Sequence, residues 1–331
     1  MPASTLFARR LALLQSYKEV TWGTTAAATA KWMGLSGVAN FKSYRKATPL
    51  DEARGNLAPA FLAPIMKNGG EFKIPMFGSY EEILFPLFGL AGSVATSGSS
   101  APYTYSHPLP TTAQPVLSTY TFEYNQNGIG TLAKGSILNK MSVKGEVEKA
   151  WALDISGICQ DVDPTWSGSP AVLSDRVVEP ILMAQTALFM DVASTGSAGT
   201  TAMSGVLTDF TWTVENSVKA VYVAGSLTPA AWVVSGPIKS ELELGLLWTA
   251  ATRAFINTNL NAGLQALVQL KATSGTKSAT LNFNGAMSDD PEYFGEKDGA
   301  EMVKVKLSAV YNLNAGLYST FITVNGVANL P

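Results

Sequence analysis

Ile137-Leu138-Asn139-Lys140-Met141-Ser142-Val143-Lys144 sets Ile137, Asn139, Met141 and Val143 against Leu138, Lys140, Ser142 and Lys144. A little further on, Trp151, Leu153 and Ile155 alternate with Ala152, Asp154 and Ser156. Successive side chains of a strand point to opposite faces, so a period of two with one apolar side reads as a half-buried β-strand. Residues 145–150 between the two runs supply a short connection, which predicts a hairpin. The same period recurs outward in both directions. Tyr120, Phe122 and Tyr124 oppose Thr121 and Glu123. Downstream come Phe210, Trp212 and Val214; Leu242, Leu244, Leu246 and Trp248; Leu264, Ala266, Val268 and Leu270; Ala279, Leu281 and Phe283; Val303, Val305, Leu307 and Ala309; and Tyr318, Thr320, Ile322 and Val324. At least eight such strands predict a mainly β protein of antiparallel sheets arranged as sandwiches or barrels.

Helices are few. Residues 80–90 and 249–259 are the two candidates, the first interrupted by Pro86. Residues 92–106, 164–170 and 193–205 are rich in small residues and read as loops. The order strand, helix, strand, long hairpin occurs twice: once from Glu71 through the hairpin at 137–158, and again from 240 through a hairpin pairing 278–286 with 301–311. The chain has 331 residues, above the roughly 250–300 at which a single core stops growing. Two tandem domains are therefore expected, 1–175 with an N-terminal arm and 176–331, each with a flanking helix.

Composition narrows the function. The chain is 47% hydrophobic but only 15% charged, against about 25% charged in an average soluble domain. Much of its surface must be neutral polar or buried against other chains. The 23 basic and 25 acidic residues leave a net charge of -2, which offers no footprint for gripping phosphates. One cysteine, Cys159, excludes an internal disulfide and a cysteine-based zinc site, and one histidine, His107, removes every mechanism that needs two imidazoles. His107 lies in Ser106-His107-Pro108 with no acid close by and reads as a surface or turn residue. Cys159 reads as a small buried hydrophobe. Residues 1–20 lack the apolar core of a secretion signal, and no run reaches the ~18 apolar residues of a spanning helix, so no membrane association is expected.

Asp289, Asp290, Glu292, Glu296, Asp298 and Glu301 cluster in one stretch. Oxygen-rich loops attract hard cations, but this spacing is not that of a helix-loop-helix calcium site, and a solvated hairpin tip is the simpler reading. Gly128-Ile129-Gly130 opens no helix and cannot cradle a phosphate as a dinucleotide-binding turn does. No cofactor and no catalytic centre are expected.

Several stretches resemble the major tail tube proteins of long-tailed (siphovirus-type) bacteriophages. They are Thr119-Tyr120-Thr121-Phe122-Glu123-Tyr124, the run from Lys134 through Val147, Glu19-Val20-Thr21-Trp22-Gly23-Thr24, and Asp51-Glu52-Ala53-Arg54-Gly55-Asn56-Leu57-Ala58-Pro59. In the second half they are Phe210-Thr211-Trp212-Thr213-Val214-Glu215-Asn216 and residues 232–248. The resemblance implies a structural virion protein, made in the bacterial host cytoplasm, whose rings stack into a tube through which double-stranded DNA leaves. It also implies partners such as the tape measure and terminator proteins. Six tube domains close a ring in that family, so a duplicated chain would close a pseudo-hexameric ring with three copies and an unduplicated one with six.

A conduit should not grip its cargo, so a neutral or acidic wall is expected. The polar strand faces offer Glu123, Asp154, Asp209, Glu215, Glu241 and Glu243 as wall residues; Lys140, Lys144, Lys304 and Lys306 occupy the same kind of face. Competing readings are another β-rich virion component (terminator, baseplate or decoration protein) and a carbohydrate-binding adhesin module using Tyr103, Tyr105 and Trp166.

Overall fold

Period-two patterning produces strands almost everywhere it occurs. The computed structural model describes residues 12–25, 27–47, 65–91, 94–112, 117–126, 129–168, 173–297 and 299–327. In the first half the strands are β1 (Ala12–Lys18), β2 (Ala30–Trp32), β3 (Asn40–Ala47), β4 (Ile65–Phe77), β5 (Ala95–Ser97), β6 (Tyr103–Pro108), β7 (Tyr120–Gln126), β8 (Ile129–Glu146), β9 (Ala152–Cys159) and β10 (Asp161–Trp166). In the second they are β11 (Thr186–Val192), β12 (Leu207–Glu215), β13 (Val218–Val221), β14 (Ala231–Val234), β15 (Lys239–Leu247), β16 (Ala266–Ser274), β17 (Lys277–Met287), β18 (Glu292–Lys297), β19 (Ala300–Ala309) and β20 (Ser319–Asn325). The protein is mainly β with antiparallel sheets, and the pairings leave open sheets with no closed barrel among the described residues. The stretch 51–59 that carried part of the resemblance lies outside the described residues.

Two helices accompany the strands, α1 (Leu84–Ala91) and α2 (Ala250–Phe255). Residues 80–83 form turns, so α1 begins later than the periodicity predicts. Pro86 then falls in the first turn, where its missing N–H was unpaired in any case, and the helix is not broken. Helix α2 starts after Thr249, whose hydroxyl accepts the Thr252 N–H at 3.3 Å, and runs into a wider π turn at Ile256–Leu260.

One long antiparallel sheet runs β3-β4-β9-β8-β12-β15-β19-β18. Strand β8 belongs to two sheets. Its later part pairs with β9 and β12, and its earlier part with β7 and β10. The flanking sheets are β2-β1-β7-β8-β10 and β11-β16-β17-β20-β6-β5. They cover the inner face of the long sheet through aromatic contacts. Phe72 on β4 lies 5.1 Å from Phe122 on β7, and Trp212 on β12 stacks on Phe321 of β20 at 5.4 Å. Helix α1 buries Leu84, Phe85, Leu87 and Leu90 in the same core.

The pairing pattern of one half recurs in the other. In the first it is β3-β4-β9-β8-β7-β1, with α1 between β4 and β7 and β10 on the free side of β8. In the second it is β12-β15-β19-β17-β16-β11, with α2 between β15 and β16 and β20 on the free side of β17. Each half also secures the loop after its first strand with a buried acid. Glu19 accepts from the Gly23 and Gly135 N–H groups at 2.8 Å, and Asp191 accepts from Gly199, Thr200 and Thr201 at 2.8–2.9 Å. The halves meet where β8 pairs with β12.

Four local expectations are corrected. The last strand buries Ser319, Phe321, Thr323 and Asn325, whereas Thr320, Ile322 and Val324 lie half exposed on its other face. Leu264 precedes β16 and is exposed. His107 is a strand residue of β6, only 1% exposed, and Tyr105 beside it is buried with its hydroxyl donating to the Val327 carbonyl. Both sit where β6 joins β20 as a pairing partner, a contact more than two hundred residues distant in sequence.

Candidate functional site

The outward face of the long sheet is where the polar halves of the alternating strands converge. Across β9, β8, β12, β15 and β19 the cross-strand registers align Asp154, Ser142, Thr213, Glu241 and Ser308 in one row, with Lys144, Thr211, Glu243 and Lys306 in the next. Opposite and diagonal neighbours in a sheet lie close enough for long side chains to meet, and here they meet with opposite charge. Lys144 and Lys73 flank Asp154 at 3.5 and 3.8 Å. Lys140 lies 3.6 Å from Glu215, Lys306 lies 3.4 Å from Glu241 and 3.6 Å from Asp289, and Lys304 lies 3.9 Å from Glu243. Glu241, then Asp289, raises the Lys306 ammonium pKa.

Five of the six acids expected on a common wall share this face. Four have a lysine within reach, and Asp209 accepts from the Thr208 hydroxyl at 2.8 Å, set against Gly245 on the next strand. Glu123 departs from the group. It is 6% exposed on β7, in a flanking sheet, so it does not reach the long sheet's outward face. Of the lysines that partner the acids, Lys140, Lys144, Lys304 and Lys306 were visible on strand faces in the sequence, and Lys73 was not. Their pairing was not, because it depends on which strands become neighbours.

Exposed ion pairs of this kind each contribute about 0–1 kcal/mol, so they do not explain the stability of the sheet. Their effect is on the field. Alternating charges a few ångströms apart cancel well within the roughly 8–10 Å Debye length of physiological salt, so the face presents little net field. His107 is buried elsewhere, and Cys159 is buried with its thiol pushed up to about 12. Among the described residues no three His, Cys, Asp or Glu side chains gather to hold a metal ion, and no helix is long and apolar enough to cross a membrane.

A family model described as phage tail tube protein matches residues 10–315, nearly the whole chain. A search of the curated proteins finds no match.

Proposed function

Because the chain belongs to the phage tail tube protein family and is therefore a structural component of the virion tail, we propose that it forms stacked rings, each built from three copies, whose outward long-sheet face lines a channel for double-stranded DNA. In this reading residues 1–175 and 176–331 are two tube domains in tandem, so three chains supply six. The observation that carries it is the recurrence of one strand order in both halves within a single continuous sheet. A pairing that joins two halves head to tail is heterologous, and when repeated around an axis such a contact closes into a ring. Asp154, Asp209, Glu215, Glu241 and Glu243 then line the channel together with their lysines. Tape measure and terminator proteins are the further partners.

Electron microscopy of the purified protein tests the tube, and native mass spectrometry of released rings tests the stoichiometry. Hollow filaments of uniform width and a three-chain ring are expected. A protein that stays monomeric at high concentration removes the tube, and a six-chain ring removes the tandem arrangement.

A further inference from the structure

Two strands of the long sheet have pairing partners on one side only among the described residues. Strand β3 pairs with β4, and β18 pairs with β19. These edges carry opposite charge. Strand β3 presents Lys42, Arg45 and Lys46, and the segment from Asp289 through Glu296 presents Asp289, Asp290, Glu292 and Glu296, all exposed. Inside the chain, the strand equivalent to β3 in the second half, β12, is not an edge. It pairs with the later part of β8, which lies beside β9 as β18 lies beside β19, while the earlier part of β8 corresponds to β17.

Resting on the ring reading above, we infer that β3 of one copy pairs antiparallel with β18 of the next copy, in the register that the β8–β12 seam sets within the chain. The acidic stretch around residue 290 is then the receptor for a basic edge strand and not a cation site. The register follows from the repeated pattern. Phe72 and Leu242 each lie five residues before the end of their strands, β4 and β15. Phe72 sits between Phe41 and Gly157, and Leu242 sits between Trp212 and Leu307. Matching these rows puts Lys42 where Thr213 stands and Lys304 where Asp154 stands. Thr213 faces Ser142, which lies opposite Asp154, and Glu292 lies opposite Lys304. Lys42 of one copy therefore faces Glu292 of the next.

An opposite-charge pair directly across two strands is favourable, and like charges there are destabilising. The intrachain seam has a comparable pair in Lys140 and Glu215. Unpaired edges invite pairing with another chain, and a charged edge restricts that pairing to a complementary one.

Placing cysteines at Lys42 and Glu292 of the same chain tests the register, since Cys159 is buried and stays silent. Oxidation of assembled protein should give a covalent ladder ending at the ring's full complement on a non-reducing denaturing gel. The register-shifted pair K42C/E296C should not. Filaments of normal width without K42C/E292C cross-links, or equal cross-linking in the shifted pair, would overturn the seam while leaving the tube reading intact. If the unmodified protein makes no filaments, the tube reading itself fails. In a second arm, K42E and E292K should each raise the concentration needed for assembly about tenfold, equivalent to about 1.4 kcal/mol, and the double variant K42E/E292K should restore it. A double variant as defective as either single one counts against the pairing.

Discussion

His107 is the least comfortable side chain in the fold. Neither ring nitrogen has a hydrogen-bond partner, and burial pushes its pKa down to about 4 from 6.5. Between those values the unfolded chain binds a proton that the native state refuses. Stability is therefore complete above about pH 6.5 and declines as the pH falls toward 4, by up to about 3 kcal/mol. Glu82 works in the opposite sense. Desolvation raises its pKa despite the Met33 and Gly34 N–H groups at 2.6 Å and Arg176 at 3.2 Å, so it favours the native state on the acid side and loses that contribution as pH rises. His107→Leu should flatten the fall in melting temperature between pH 6.5 and 4; parallel curves for variant and parent would contradict the assignment. Nothing local in Ser106-His107-Pro108 announces burial. The ring is covered because β6 is drawn into pairing with β20, and sequence proximity carries no trace of that contact.

At the scale of elements, the β8–β9 hairpin was legible because Met141, Val143, Leu153 and Ile155 alternate onto one buried face and the turn is short, although a bulge between Leu138 and Lys140 sends Leu138 rather than Asn139 into the core. Strand β20 was not. Its apolar residues fall on both faces, and the larger number, Ile322 and Val324, lie on the outer one, while the core takes Phe321 and its stacking on Trp212. Asn325 accompanies Phe321 inward because its side-chain amide donates to the Tyr80 carbonyl at 2.7 Å, a long-range partner that makes a buried amide tolerable. Strand β3 was missed altogether, since its alternation is masked by Lys42, Arg45 and Lys46 on an exposed edge. The hairpin also contains a position where only glycine fits. A Cβ on Gly157 would press into the Ile137 carbonyl oxygen and sit 2.5 Å from the Phe72 ring. Gly157→Ala should lower stability by about 3 kcal/mol, as overfilling a tight core does. The urea midpoint of the unassembled protein measures it, and an unchanged midpoint would mean that β4 and β9 can separate more easily than their register implies.

For the molecule as a whole, the repeated order of elements was readable in advance, but the β8–β12 junction and the two open edges emerge only from pairing. The acids proposed for the channel were legible as strand-face residues; their neutralisation was not, because each lysine partner belongs to another strand. That neutralisation defines the test of the channel. Replacing Glu241 and Glu243 by lysine abolishes the pairs with Lys306 and Lys304 and leaves four ammonium groups side by side on β15 and β19. The lost pairs are exposed and contribute about 1 kcal/mol or less each, so E241K/E243K should still fold and polymerise. Repeated around and along a tube, however, the new charges would form a basic wall, and each phosphate contact releases counterions and strengthens binding. Genome ejection from virions carrying the double variant should therefore slow or stop, with relief as salt is raised, whereas E241Q/E243Q should show a smaller effect. Ejection at the parental rate through E241K/E243K tails would place these residues away from the DNA path, because a lined channel cannot gain that much positive charge without retarding a polyanion.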